Sequence, residues 1–364
     1  MIECRTIKEL CSVVVDCPHS TPTWTAEGKI VVRNNNIKNG RIDFSSPSYT
    51  DDEHYQQRIK RATPQGGDII ITREAPMGEV GMIPEGIVCC LGQRMVLLRA
   101  NPDICDNYYL LYSLQSRYVQ HQISWSEGTG TTVSNLRIPH LEQLKIPYLP
   151  LSQQRQVSSV LRCLEEKIKH NRVINDNLQQ QAQAIYASMF VDNAEPTWKQ
   201  GHLSDFVIVR YGKDHKKLAD GIYPVYGSGG IMRHVERPLY DKESVLIPRK
   251  GTLNNVMYVN QPFWSVDTMF YTEMRLPNVA KFVYHFVKAK DLAAMNAGSA
   301  VPSMTTDILN AMEIAIPPAT VLEEFESLVA PMYRAMQGND AQSKKLADLR
   351  NALLPLSLIH ISEP

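Results

Sequence analysis

The chain repeats itself. At a constant offset of 170 residues, the stretch "NLRIPHLEQLKIPYLPL" (residues 135–151) returns as "TDILNAMEIAIPPAT" (residues 306–320): Ile138 is matched by Ile308, Ile146 by Ile316 and Pro147 by Pro317, and upstream Gly128 by Gly298. The residues after each copy narrow the folds open to the chain. After Pro150 comes "LSQQRQVSSVLRCLEEKIKHNRVINDNLQQQAQAIYASMF", about forty residues without glycine or proline and dense in helix formers. That is one long helix, and a second follows Pro318. The chain therefore says globule, then helix, twice.

Alternating steps of four and three from Val157 reach Leu161, Leu164, Ile168, Asn171, Asn175, Leu178, Ala182, Ile185 and Met189. The same stepping from Val321 reaches Phe325, Leu328, Met332, Ala335, Asn339, Gln342, Leu346, Leu349 and Leu353. A period of 3.5 sustained this long is a coiled-coil seam, narrower than a helix lying on a globule needs. Asn175 and Asn339 fall at equivalent seam positions in this reading, where a polar side chain lowers stability but penalises slipped pairings. Two units related by a two-fold axis require the helices to run antiparallel, a rod of roughly 50 Å for about 35 residues. The competing expectation is that each helix merely covers its own domain. Pro331 and Gly338 interrupt the second helix, and Pro331 is expected to kink it near its first turns.

At 364 residues the chain is too long for one ordinary core. Ahead of each long helix lie β-runs in matching order: "GDIIITREAPMGEVGMI" and "ESVLIPRKGTLNNVMYV" each give a strand, an arginine and a turn, and "QRMVLLRA" and "DTMFYTEMRL" supply further strands. A short helix follows in each, "NYYLLYSLQSRYVQHQI" and "VAKFVYHFVKAKDLAAM". The expected fold class is α+β, two β-rich domains separated by an antiparallel two-helix coiled coil in a pseudo-two-fold repeat. No apolar run approaches the ~20 residues that span a bilayer, and "MIECRTIKEL" does not read as a secretory signal, so the expected location is cytoplasmic. Seven cysteines without a CxxC pair read as reduced thiols. Formal net charge is zero, which excludes a protein that coats nucleic acid by bulk electrostatics and leaves only local patches.

The chain resembles the specificity subunit of type I restriction-modification systems over nearly its whole length. The carriers are "IPHLEQLKIPYLPLSQQRQVSSVLRCLEEKIKHNRVINDNLQQQAQAIYASMF", the second "IAIPPATVLEEFESLVAPMYRAM", the opener "WKQGHLSDFVIVRYGKDHKKLADGIYPVYGSGGI" and the closing "LADLRNALLP". The resemblance implies a first target recognition domain over residues 1–150, a central coiled-coil helix over 151–190, a second target recognition domain over 191–318 and a C-terminal coiled-coil helix over 319–356. Each domain is then expected to read one half of an asymmetric, split double-stranded DNA target, with the helices setting the gap. It implies no catalytic activity in this chain. Two adenine-N6 methyltransferase subunits and, in the full complex, two translocating nuclease subunits are the implied partners, and S-adenosylmethionine, ATP and magnesium are expected only on them. The tail over 357–364 departs from the family's basic ending and from the heptad phase, which marks an assembly scar or an unusual terminus. Two other readings stay open: a coiled-coil scaffold whose globules bind protein, and the DNA-binding subunit of a related methyltransferase system without a nuclease.

Elementary chemistry agrees with a reader over an enzyme. An amino-methyltransferase needs a [DN]PP[FYW] turn, and the "NPD" at Asn101 lacks its second proline and aromatic; there is no GxxxxGK[ST] loop and no PD followed by (D/E)xK on adjoining strands. Base reading needs amide and guanidinium groups at base edges and cations on phosphates. In the first globule "VVRNNNIKNGRI" supplies Arg33, Asn34, Asn35, Asn36, Lys38, Asn39 and Arg41 between two strands, though a polar turn would use asparagine as well. In the second, "RYGKDHKKLADG" gathers Arg210, Lys213, His215, Lys216 and Lys217, and the glycine-flanked Ser228 comes soon after in "YGSGG", where small residues let backbone approach a groove. Arg73 and Arg249 recur after equivalent strands, the latter beside Lys250, and suit phosphate contacts; a buried ion pair is the competing role. Arg155, Glu165, Glu166, Lys167, Lys169, His170 and Arg172 lie off the first seam; solvation explains most of them, and a docking face for a partner subunit is the competing reading.

Overall fold

The computed structural model describes residues 3–38, 40–125, 135–295 and 303–356. The chain forms two compact units, Met1–His170 with Ala341–Pro364, and Asn171–Asp340. The division falls inside both long helices. Gly128, Gly298, Asn39 and the tail over 357–364 lie outside the described residues.

Unit one opens with β1 (Cys4–Thr6) and α1 (Ile7–Leu10), a one-turn helix held by reciprocal bonds: the Glu9 amide donates to the Thr6 hydroxyl at 3.2 Å and the Thr6 amide to the Glu9 carboxylate at 2.6 Å. Then come β2 (Cys11–Asp16), β3 (Lys29–Val32), β4 (Ile37–Lys38), β5 (Arg41–Ile42), β6 (Ser48–Thr50), α2 (Asp52–Arg58), β7 (Ile69–Thr72), β8 (Val80–Met82), β9 (Cys89–Leu91) and β10 (Met95–Ala100). The unit continues through α3 (Asn107–Gln115), α4 (Arg117–Ser124), α5 (Ile138–Gln143) and β11 (Lys145–Pro147) into α6 (Leu151–Ala187). Where one short helix was expected after β10, Ser116 ends α3 and caps α4, its hydroxyl accepting the Val119 amide at 3.3 Å.

The main sheet runs β2-β10-β7-β8 and a second runs β6-β3-β9, with β3 and β9 parallel. Strands buried on both faces read as continuous apolar runs, and period-two alternation sorts them. Ile69, Ile71, Val96 and Leu98 pack with Tyr109, Leu110 and Leu114 of α3, while Ile70, Met95 and Leu97 pack with Val32, Ile37 and Cys89.

Unit two repeats this plan: β12 (Lys199–His202), α7 (Leu203–Phe206), β13 (Val207–Tyr211), β14 (Asp220–Gly227), β15 (Gly230–Val235), β16 (Ser244–Pro248), β17 (Met257–Val259), β18 (Trp264–Ser265), β19 (Met269–Met274), α8 (Ala280–Lys288), α9 (Thr306–Asn310), β20 (Glu313–Ile316) and α10 (Ala319–Leu356). Its sheets run β13-β19-β16-β17 and β15-β14-β18, with β14 and β18 parallel. Strand for strand the order matches unit one. Ile146 and Ile316 sit on the matching strands β11 and β20, and Ile138 and Ile308 on α5 and α9. The expected α+β class with a duplicated, β-rich unit is the observed one.

Within each unit the long helices meet in antiparallel sense. Glu165 takes the Arg350 guanidinium at 3.2 Å in unit one. In unit two the Asn171 amide donates to the Asn339 carbonyl at 3.2 Å, Asn175 donates to the Asp340 carboxylate at 2.8 Å, and Asn339 donates to the Asn175 side-chain carbonyl at 2.8 Å. On α6 the expected seam is the inner face: Leu161, Ile168, Asn171 and Ala182 are buried, and Val157, Leu164, Asn175, Leu178 and Ile185 half-buried. On α10 it needs correction. Phe325 is buried and Met332, Asn339, Leu346 and Leu353 are half-buried, but Leu328 and Leu349 are 46% and 48% exposed, and Val329 and Arg350 turn inward instead. The sequence offers neighbouring residues at each of these steps, and packing against α8 chooses Val329 and Tyr333. Helix starts at Leu151 and Ala319 also make Asn171, not Asn175, the counterpart of Asn339, each the twenty-first residue of its helix. The helix assignment runs through Pro331 unbroken.

A polar junction ties each globule to both helices. In unit one the Tyr112 hydroxyl donates to Glu165 at 3.1 Å, and Glu165 takes Arg350. In unit two His285 lies 2.7 Å from Gln183 through Nδ1 and 3.0 Å from the Tyr333 hydroxyl through Nε2. Burial lowers the His285 pKa from 6.5 to about 4, so the folded protein keeps the ring neutral while the unfolded chain protonates near 6.5. Its contribution is complete above about pH 6.5 and is lost as pH falls toward 4, by about 3 kcal/mol. The expected result is a fall in the thermal midpoint of unit two between pH 7 and pH 5 that His285→Gln flattens; an equally steep fall in the variant would contradict it.

Candidate nucleic-acid interface

The two units differ most at one topological slot. In unit one the connection from β3 to β6 runs over residues 33–47; in unit two the equivalent connection from β14 to β15 is Ser228 and Gly229 alone. Both slots spring from the strand that pairs parallel with β9 or β18, so a buried strand fixes their base while their tips vary.

Residues 34–36 form a 3₁₀ turn, and here the asparagine run divides in two. The Asn34 side-chain amide donates to the Ala75 carbonyl at 2.9 Å, and the Asn36 side-chain oxygen accepts the Arg33 amide at 2.9 Å. Asn34 and Asn36, expected to reach bases, thus serve the loop itself, because a turn this tight leaves main-chain groups for side chains to satisfy. Arg33, Asn35, Lys38 and Arg41 are exposed. Lys38 and Arg41 pair across the β4–β5 hairpin, which lies on Gly81, where a Cβ would come within 2.8 Å of Ile42. The Arg33 guanidinium stands 5.2 Å from the ring of Trp24, whose indole is itself exposed.

Arg73 requires a plain correction. Its side chain is 12% exposed and is used inside the unit: Nη1 donates to both Asp16 oxygens at 3.0 and 2.9 Å, Nε to the Leu136 carbonyl at 3.0 Å and Nη2 to Asn135 at 3.2 Å. A guanidinium with those partners is a structural tie, not a phosphate contact. Arg249 occupies the matching place, and where unit one has Asp16 unit two has Tyr211. There the guanidinium lies 5.6 Å from the Tyr211 ring and donates to the Asp267 carbonyl at 3.2 Å, so its charge meets no carboxylate in those contacts.

The structure gathers the backbone at Lys213, Ser228, Arg249 and Lys250 around residues 265–268 and the β14–β15 turn. Gly212 packs against the Val266 carbonyl so closely that a Cβ would lie 2.0 Å from it; the Arg249 and Lys250 amides both donate to the Thr268 carbonyl, at 2.9 and 3.2 Å; and Gly251 at φ +86° abuts the Ser228 hydroxyl. Arg210 is placed differently: its half-exposed side chain forms a cross-strand ion pair with Glu273 at 3.1 Å. His215 is half-buried, and Lys216 and Lys217 are exposed on the connection into β14. Sequence reasoning missed Tyr211, Ile231 and Met232, exposed apolar side chains around the same turn; an apolar residue inside a strand carries no signal of exposure. Among the described residues no group of His, Cys, Asp and Glu side chains is arranged to hold a metal ion.

Two units of one topology, each offering a variable polar slot on a rigid sheet, define a duplicated recognition protein. The family description "Type I restriction modification DNA specificity domain" matches residues 3–180 and 195–323. The chain is 22% identical over 333 residues to the type I restriction enzyme MjaIX specificity subunit of Methanocaldococcus jannaschii, covering 79% of this chain and 76% of that one. It is 26% identical over 122 residues to the EcoprrI specificity subunit of Escherichia coli, covering 31% and 30%. The crystal structure of a type I system S subunit from M. genitalium superposes with a TM-score of 0.63 at 18% identity, covering 98% of this chain and 96% of that one. The chain belongs to the type I restriction-modification DNA specificity family, and DNA sequence recognition is its function. No helix among the described residues is long and apolar enough to cross a membrane.

Proposed function

We propose that this chain is the non-catalytic reader of a split, asymmetric duplex target, each unit taking one half-site through its own slot, on behalf of methyltransferase subunits that mark an adenine in each half and of nuclease subunits that complete the restriction complex. The observation that carries the reading is the slot: one position in a duplicated framework holds fifteen residues in one unit and two in the other, and unlike readers imply unlike half-sites. Exposed Arg33, Asn35, Lys38 and Arg41 serve the first half-site, and Lys213, Ser228, Arg249 and Lys250 the second, with Lys216 and Lys217 on nearby phosphates. A chain of zero net charge relies on such patches.

The test is methylation mapping of cells that express the chain with its methyltransferase partner. Simultaneous Arg33→Ala, Asn35→Ala, Lys38→Ala and Arg41→Ala substitutions touch only exposed side chains. They are expected to lower methylation of the target about a thousandfold or more, since each lost base contact costs about 1–3 kcal/mol. Dependence on the second half-site is expected to persist, with a shallower salt dependence. An unchanged motif at unchanged efficiency would remove unit one's slot from recognition.

A further inference from the structure

The β14–β15 hairpin ends in bare backbone. Gly229 and Gly230 have nothing within 4 Å of an added Cβ, and Gly230 sits at φ +112°, a conformation that any side chain would strain. Directly behind the tip, Met232 lies across Gly227, where a Cβ would come within 2.6 Å of its sulfur, yet Met232 is 62% exposed. Gly227 also faces Val266, whose carbonyl packs on Gly212 next to Lys213; on the other side Ser228 abuts Gly251 next to Lys250. An apolar, polarisable side chain thus stands in the middle of a polar tip with exposed lysines to either side. Two-stranded ribbons fit the major groove, and thymine alone presents a methyl group there.

Resting on the DNA-reading function above, we propose that the β14–β15 tip enters the major groove of the second half-site and that Met232 contacts the 5-methyl group of a thymine, with Lys213 and Lys250 holding the flanking phosphates. Duplex DNA is the occupant favoured over a protein partner because the exposed cations flank the patch and because this tip is the counterpart of the slot that carries Arg33, Asn35, Lys38 and Arg41 in unit one. Methionine suits the task, since its thioether adapts to an irregular surface without a hydrogen-bonding requirement. The glycines let the ribbon sink deep enough for a side chain of this length to reach the base.

The experiment uses the full chain assembled with its methyltransferase partner, at fixed salt, on target duplexes in which each thymine of the second half-site is replaced singly by deoxyuridine, which deletes only the methyl group. One replacement is expected to weaken binding about fourfold, the worth of one buried methyl. Met232→Ala is expected to weaken the unmodified target about five- to tenfold, to lose nothing further on that deoxyuridine duplex, and to keep the wild-type melting temperature; Met232→Leu restores sensitivity to the methyl. Losses that multiply in the combined case, binding indifferent to every deoxyuridine, or a Met232→Ala defect in assembly with the methyltransferase instead of in DNA binding would each overturn the proposal. Wild-type complex that binds without regard to either half-site would instead sink the functional reading beneath it.

Discussion

Replacing Phe325 by alanine is expected to destabilise unit two by about 3–5 kcal/mol and to lower its unfolding midpoint by roughly 10 °C. Phe325 is fully buried on α10 at the point where that helix, α6 and α8 converge. Its ring lies 5.2 Å from Phe190, 6.2 Å from Tyr186 and 5.9 Å from His285, each in an edge-on arrangement. Truncation removes the transfer energy of a large aromatic side chain and leaves a void walled by three other rings, which cannot collapse without losing their mutual contacts. Phe325→Leu should recover more than half of the loss. Calorimetry on both variants decides the matter, and a shift of under about 3 °C for the alanine variant would mean that the convergence of α6, α8 and α10 does not hold unit two together.

Arg73→Ala is expected to cost unit one about 3 kcal/mol, whereas Arg249→Ala should leave the stability of unit two within about 1 kcal/mol. The two arginines follow equivalent strands, so the contrast isolates their surroundings. Removing Arg73 leaves Asp16, whose side chain is 17% exposed, with the solvent-exposed His19 ring at 3.0 Å, and unties the Leu136 carbonyl and Asn135. Deleting one partner of a desolvated pair costs more than the pair itself contributes. Arg249 has a carbonyl and an aromatic face as neighbours, and its removal should appear as weaker DNA binding with a salt slope reduced by about one. Urea denaturation of both variants, together with Arg73→Met with Asp16→Leu, checks the contrast: the double replacement should recover much of the loss, and equal effects of Arg73→Ala and Arg249→Ala on stability would refute it.

Much of this architecture is legible in the sequence. The repeat, the helices after Pro150 and Pro318 and the inner face of α6 all arise from local patterns, because heptad spacing survives without knowledge of what packs against it. The inner face of α10 is legible only by halves. Where Leu328 stands beside Val329, periodicity has no means to choose, and the choice is made by α8, some forty residues away in sequence. The asparagines show the same ambiguity: counting from apolar residues makes Asn175 the equivalent of Asn339, counting from the helix starts makes it Asn171, and Asn339 in fact bonds to both. Among the interface residues, Arg73 is misplaced by sequence because its partner Asp16 sits more than fifty residues away on another strand. The slot itself is invisible as a slot. "RNNNIKNGR" and "GSGG" share no residue pattern, and only the order of strands reveals that they occupy the same place.

The unequal slots carry a consequence for how such a protein changes its mind about what it reads. Growing a connection from two residues to fifteen costs about 2 kcal/mol of closure entropy, a sum that a domain with ordinary reserves can absorb. The strand that leads into each slot, β3 or β14, is clamped to a parallel neighbour whose pairing does not involve the tip. If the slots are the readers, as proposed above, new vocabulary is acquired by exchanging a surface cartridge, with no renegotiation of the interior, and one unit can drift to a different word while the other keeps its own.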